Sequence, residues 1–98
     1  MDIYSKTSFT ASRFITKSYS TSFYISTRLL ERDMQQAIFG IYGFVRFADE
    51  IVDTFHDHDK AKLLSTFESD LKVAIDEKIS LNPVLHAFQL VIHQYKIP

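Results

Sequence analysis

Four side chains, Tyr42, Arg46, Asp49 and Asp53, are spaced so that a helix would set them in one line. At about 100° of turn per residue they fall within an arc of roughly 60°. Asp49 and Asp53 then sit one turn apart, about 6 Å along the axis. Two charged carboxylates at that spacing repel one another, weakly on an exposed helix and more strongly when buried. A hard cation removes the repulsion. Mg2+ takes oxygen ligands, keeps several waters, and is commonly held by one or two carboxylates together with phosphate oxygens. Arg46 offers a planar fork of donors to a phosphate or a carboxylate. Tyr42 adds a hydroxyl. In an apolar surround, this set suits a diphosphate carrying an oily tail. The bland alternative is a seam that only pairs internally, with Arg46 bridging Asp49 or Asp53.

The helix that must carry this line runs from about 31–33 to 55. Ile38, Ile41, Val45, Ala48 and Val52 form an apolar stripe beside the seam, and Phe44, Phe47, Ile51 and Phe55 widen it. A helix apolar around most of its girth is expected to be buried. Gly40 and Gly43 are the only glycines in the chain, and both lie inside this helix. Each costs a helix about 1 kcal/mol relative to Ala, which points to close approach by another helix or to room for a ligand.

The remaining segments supply companions. Phe14, Ile15, Tyr19, Phe23 and Ile25 are too frequent for a disordered tail, and a helix is read over about 3–17 although Ser and Thr are mediocre helix formers. Residues 18–23, Ser-Tyr-Ser-Thr-Ser-Phe, then read as a helix end or tight connection. Their hydroxyls either cap and turn the chain or hold phosphate oxygens. His56-Asp57-His58-Asp59 reads as a solvated connection in which Asp57 or Asp59 caps the next helix. It lacks the glycine and terminal Glu of a calcium loop. Residues 59–79 are amphipathic, with Leu64, Phe67, Leu71, Ala74 and Ile75 on one face. Asn82-Pro83 is a specific helix start. The helix it opens, over 83–95, buries Val84, Leu85, Phe88, Val91 and Ile92, with His86 and His93 expected in solvent. The expectation is an all-α chain of about four helices.

Composition narrows the function classes. The chain has 98 residues and a net charge of -1, enough for one small domain. Without a basic excess or a Lys/Arg run, nucleic acid is not an expected partner. The absence of cysteine excludes disulfides, thiolate metal sites and Cys nucleophiles. No apolar run reaches the roughly 18 residues of a spanning helix, and the N-terminus lacks the order of a signal peptide. A cytoplasmic location is the default, and no obligate protein partner is evident. The chain stops at Tyr95-Lys96-Ile97-Pro98, straight after a strongly patterned helix, as a cut would leave it.

Ser20-Thr21-Ser22-Phe23, Leu29-Leu30, the run from Ala37 to Arg46, and Asp49-Glu50-Ile51-Val52-Asp53 together resemble the N-terminal part of the squalene/phytoene synthase family. Asn82-Pro83-Val84-Leu85 and Tyr95-Lys96-Ile97-Pro98 extend the likeness. It covers nearly all of this chain and about the first third of a family member. Residues 1–98 are thus expected to be a single partial domain of an isoprenoid-synthase-type helical bundle. The resemblance implies an enzyme that joins two prenyl diphosphates head to head through a cyclopropyl intermediate. It makes Asp49 and Asp53 the first aspartate-rich motif, binding Mg2+. It places Tyr42 and Arg46 at the diphosphate site and in catalysis. Ser20, Ser22 and Phe23 match its phosphate-gripping turn. A lipid product is compatible with peripheral membrane association.

Departures from the family pattern fall at Glu31, where Pro is frequent after the Leu pair, and at Thr21 and Gln35, where basic residues are common. The second aspartate-rich motif is expected downstream, so the 98 residues alone are expected to be inactive. Ala48 to Asp53 looks more like carotenoid-pathway members, which favours geranylgeranyl diphosphate and phytoene. Squalene or dehydrosqualene synthesis from farnesyl diphosphate is the alternative within the family, and the use of NADPH is left open. A non-catalytic helical interaction module is the alternative outside it.

Overall fold

The computed structural model describes all 98 residues, and every regular element in it is a helix. In chain order these are α1 (Ile3–Tyr19), α2 (Thr21–Thr27), α3 (Arg32–Asp53), α4 (Lys60–Glu77) and α5 (Pro83–Gln94). The expected four are present with bounds shifted by up to two residues. α2 is a fifth, in the stretch leading from the serine-rich connection to α3. Only Ser20 leaves helical geometry between α1 and α2, and its hydroxyl accepts from the Phe23 amide at 3.3 Å to start the new helix. No helix is long and apolar enough to cross a membrane.

Local chemistry fixes most of the helix starts. Asp2 caps α1 by accepting from the Ser5 amide at 2.7 Å, and Asp59 caps α4 by accepting from the Lys62 amide at 3.1 Å. Asn82 accepts from the amides of Val84 and Leu85, with Pro83 at the first helical position. α3 starts without a side-chain cap, although Asp33 in its first turn suits the helix dipole. α4 ends at Lys78 in the left-handed conformation.

α1 is rich in residues of modest helix propensity, and its packing shows what they are for. Its buried stripe is Ser5, Ser8, Phe9, Ser12 and Thr16. The hydroxyls of Ser8 and Thr16 donate to carbonyls four residues back, so they enter the interior satisfied. Small buried residues let α3 come close. A Cβ placed on Gly43 would lie 2.9 Å from the Ser12 Cβ, and one on Gly40 would lie 3.0 Å from the Val91 Cγ2. The two glycines therefore serve helix–helix approach, one toward α1 and the other toward α5.

α5 joins the two apolar clusters of the core. Its Leu85 packs with Ile51, Phe67 and Ala74, while its Ala87 and Val91 pack with Phe9. Phe44 stacks on Phe88 at 3.9 Å between ring centroids, extending the first cluster. α3, expected to be buried around most of its girth, is not. Phe39, Gly40, Gly43 and Ile51 are buried, whereas Ile41, Val45, Phe47 and Val52 are exposed. α1, α5 and α4 pack on one flank of α3, and its opposite flank faces solvent.

His86 is the second correction. It is 4 % exposed rather than solvated. Its ring lies 4.6 Å from that of Tyr4, and its partners come from distant segments. The Ser80 amide reaches Nδ1 at 3.3 Å and can only donate, so Nδ1 is an acceptor and the ring proton sits on Nε2. Nε2 then donates to the Ser5 hydroxyl at 3.0 Å. This tautomer cannot take a proton from Ser5, so the pair is structural rather than nucleophilic. The Tyr4 hydroxyl, donating to the Ser80 carbonyl, ties down the same corner.

Burial holds the His86 pKa below its ordinary 6.5, against a smaller opposing pull from Asp2. The unfolded chain therefore binds more protons than the folded one as pH falls through 6.5. Stability is full above that value and declines below it, levelling off once pH passes the folded-state pKa. Thermal melts of wild type and His86→Gln are expected to show this as a gap. The wild type should lead at pH 7.5 and lose part of that lead at pH 5, roughly the window around a histidine pKa. A gap independent of pH would show that His86 does not titrate with folding.

Candidate functional site

Tyr42, Arg46, Asp49 and Asp53 do share one line on α3, at the border between its packed face and its open apolar flank. The line is set by α3 alone, but α1 and α2 furnish its upper wall. α2 brings Phe23 onto Tyr42, with ring centroids 4.9 Å apart and planes 25° from parallel. Phe23, Tyr42, Ile38, Ile41 and Val45 enclose a shallow, wholly apolar cavity of about 190 Å³. α1 ends by placing Tyr19 against Arg46, whose guanidinium carbon lies 4.7 Å from the ring centroid.

Arg46 does not bridge Asp49 or Asp53. Its Nη2 donates to Glu50 Oε2 at 2.9 Å, one turn along the helix, and this is the only cation–carboxylate pair in the protein. Its Nε is enclosed and has no partner. The Glu50 bond raises the Arg46 pKa, and the nearby charges of Glu50, Asp49 and Asp53 add to it. The Thr54 hydroxyl, then Arg46, then Tyr19 hold the Glu50 carboxyl below its usual range. The Glu50 carboxylate beside Tyr19 raises its phenol pKa. The guanidinium is thus fixed from one side by Glu50 and Tyr19, and its Nη1 makes no hydrogen bond within the protein.

Asp49 and Asp53 are exposed, and neither makes a side-chain hydrogen bond or an ion pair. They form a pair of free oxygen donors beside a held cation. No group of three or more His, Cys, Asp or Glu side chains is gathered as a metal would need. The donor chemistry fits a hard cation such as Mg2+ only if other ligands, of which phosphate oxygens are the natural kind, complete its shell.

The hydroxyl cluster divides. Ser20 is engaged as the cap of α2, and Ser22 is exposed on that helix. Asp59 is likewise engaged as a cap, and His58 lies edge-on to Phe55 at 6.2 Å. Sequence reasoning missed two members of the site. Glu50 stands four residues from Arg46, a legible ion-pair spacing. Tyr19 could not be found from local pattern, because only the α1–α3 packing brings it there.

Chemically, this is a polar rail beside an apolar trough. One fixed guanidinium and two unpartnered carboxylates can address a diphosphate, directly and through a cation. The trough of Ile38, Ile41 and Val45 can take hydrocarbon. Residues 16–98 match the family model described as squalene/phytoene synthase. No curated protein and no solved structure matches the chain significantly. With all of α2 to α5 inside the matched region, the chain belongs to the squalene/phytoene synthase family, whose enzymes transfer prenyl groups.

Proposed function

We propose that this domain provides the first metal-binding side of a prenyl diphosphate site, in an enzyme that joins two prenyl diphosphates head to head. The observation that carries the reading is the division of labour on α3. Arg46 is held by Glu50 and Tyr19, while Asp49 and Asp53 on the same line have no protein partner. Internal pairing would have consumed the aspartates, and it does not.

The chain's own residues then have distinct tasks. Arg46, with its spare donor, grips phosphate oxygens and stabilises charge on the leaving diphosphate. Asp49 and Asp53 would hold Mg2+, which when bound supplies electrostatic stabilisation of the same leaving group. Phe23 and Tyr42 present ring faces where an allylic carbocation would need shelter. Ile38, Ile41 and Val45 receive the hydrocarbon tail and keep water from it. Ser20 and Ser22 line the approach to the phosphates. The motif Ala48 to Asp53 favours geranylgeranyl diphosphate as substrate and phytoene as product. The enzyme is cytoplasmic in this reading and touches the membrane periphery to deliver its lipid.

Calorimetric titration of Mg2+, with and without a non-ionisable prenyl diphosphate analogue, tests the shared-ligand site. Mg2+ should bind weakly alone and tightly with the analogue, and Asp53→Asn should abolish the difference. Tight binding of Mg2+ alone, or coupling unchanged in Asp53→Asn, would sink the reading.

A further inference from the structure

A second charged cluster lies away from the seam and shares no residue with it. Tyr24 is buried, and three cations surround its ring. The guanidinium carbons of Arg13 and Arg28 and the ammonium of Lys17 all lie within 5.8 Å of the ring centroid. Arg13 also donates to the Tyr24 oxygen, through Nη2 at 2.9 Å and Nε at 3.2 Å. Arg13 is shared with a neighbouring cleft of about 570 Å³ between α1 and the start of α3. Lys6, Thr10, Arg32 and Gln36 line that cleft as well, with Asp33 as its one carboxylate.

None of these five cations is in an ion pair. The chain does not lack carboxylates, since Asp and Glu outnumber Lys and Arg by 12 to 11. Asp2, Glu31 and Asp33, the nearest in sequence, pair with none of them. Three like charges gathered on one ring raise the local potential, and an anion relieves it. The phenol reports that potential. The Arg13 bond holds the Tyr24 pKa below its ordinary value, and the charges of Arg13, Arg28 and Lys17 act in the same direction. Forked guanidinium donors, a flexible ammonium and the side-chain amide of Gln36 are the donor set that a phosphate group accepts from.

We propose that Arg13, Lys17 and Arg28 about the Tyr24 ring, with Lys6 and Arg32 across the adjoining cleft, bind a phosphate-bearing anion at a site separate from the Tyr42–Asp53 line. The proposal does not rest on the prenyl-transfer reading. The phosphate can come from a free ligand or from a lipid headgroup. The exposed Phe14, Ile25 and Leu29, interleaved in sequence with these cations, would accompany a bilayer.

Two probes separate the sources. One is inorganic diphosphate titrated calorimetrically into the chain without Mg2+. The other is co-sedimentation with phosphatidylcholine vesicles, with and without phosphatidylglycerol. Lys17→Gln/Arg28→Gln should weaken whichever probe binds by about tenfold or more, as loss of charged hydrogen bonds does. Lys6→Gln/Arg32→Gln should weaken it too, while Lys62→Gln/Lys72→Gln, which removes two exposed cations of α4, should leave it intact. Diphosphate binding with this pattern assigns a free phosphate ligand. Phosphatidylglycerol-dependent sedimentation with this pattern assigns a headgroup. Binding of neither probe by the wild type, binding untouched in the first two double variants, or binding lost only in Lys62→Gln/Lys72→Gln would overturn the site.

Discussion

Under the proposed prenyl-transfer reading, Arg46→Ala is expected to lower turnover by about 10²–10³-fold, the usual cost of removing one donor aimed at developing negative charge. Stability should hardly change. The Arg46–Glu50 pair is a partly exposed i,i+4 pair, of a kind worth about 0.3–0.5 kcal/mol. The stack on Tyr19 adds about 0.5–1 kcal/mol at such a site. The barrier change amounts to about 3–4 kcal/mol, so the two effects are well separated in size. Arg46→Lys should keep the charge and lose the fork, giving an impaired but stable enzyme. Steady-state rates and thermal melts on both variants decide the matter. A fully active, less stable Arg46→Ala enzyme would show that the guanidinium serves only Glu50 and Tyr19.

Leu85→Ala should have the largest effect on the fold. Leu85 is fully buried in the cluster with Ile51, Phe67 and Ala74, against partly buried Phe44, Ala48 and Leu71. Truncating such a leucine costs about 2–5 kcal/mol, from lost burial and from the cavity left behind. Small domains hold only about 5–15 kcal/mol in all, and this core is divided between two clusters that meet through α5. The variant is therefore expected to melt far below wild type or to be unfolded at 37 °C, about body temperature. Leu81→Ala, at a residue 93 % exposed, should stay within about 0.5 kcal/mol. Urea unfolding of the two variants measures the contrast. A Leu85→Ala penalty below about 1 kcal/mol would mean that the first cluster collapses around the gap.

What could be read in advance was local. Asn82-Pro83 and Asp59 announce their helices because capping is decided within four residues. The periodicity of α3 placed Tyr42, Arg46, Asp49 and Asp53 on one line because helix geometry is regular. Gly40 and Gly43 pointed to close approach because glycine inside a helix has a cost that packing must offset. What could not be read was non-local. His86 looks like a surface residue on its own helix, and is buried because Ser5 and Ser80 meet it from elsewhere. Tyr19 joins Arg46 only through the packing of α1. α2 escaped because seven residues rich in Ser and Thr have little intrinsic helix preference, and their cap and the Tyr24–Phe39 stack settle the outcome. The exposed flank of α3 shows the limit of apolar periodicity, which reports what a helix can bury and not what is there to cover it.

The glycine contacts on α3 have a mechanical consequence. Gly40 and Gly43 seat the helix against α5 and α1, so the crossing there acts as a fulcrum. Asp53 lies about 15 Å further along the axis, at 1.5 Å per residue from Gly43. A tilt of about 4° at the fulcrum would swing its carboxylate by about 1 Å, a displacement able to cost about a hundredfold in rate when catalytic groups are misaimed. A methyl group added at residue 43 meets Ser12 at 2.9 Å and must be accommodated by such a movement or by one of α1. The aim of the aspartates is thus set by two hydrogens in the interior, turned away from the carboxylates themselves.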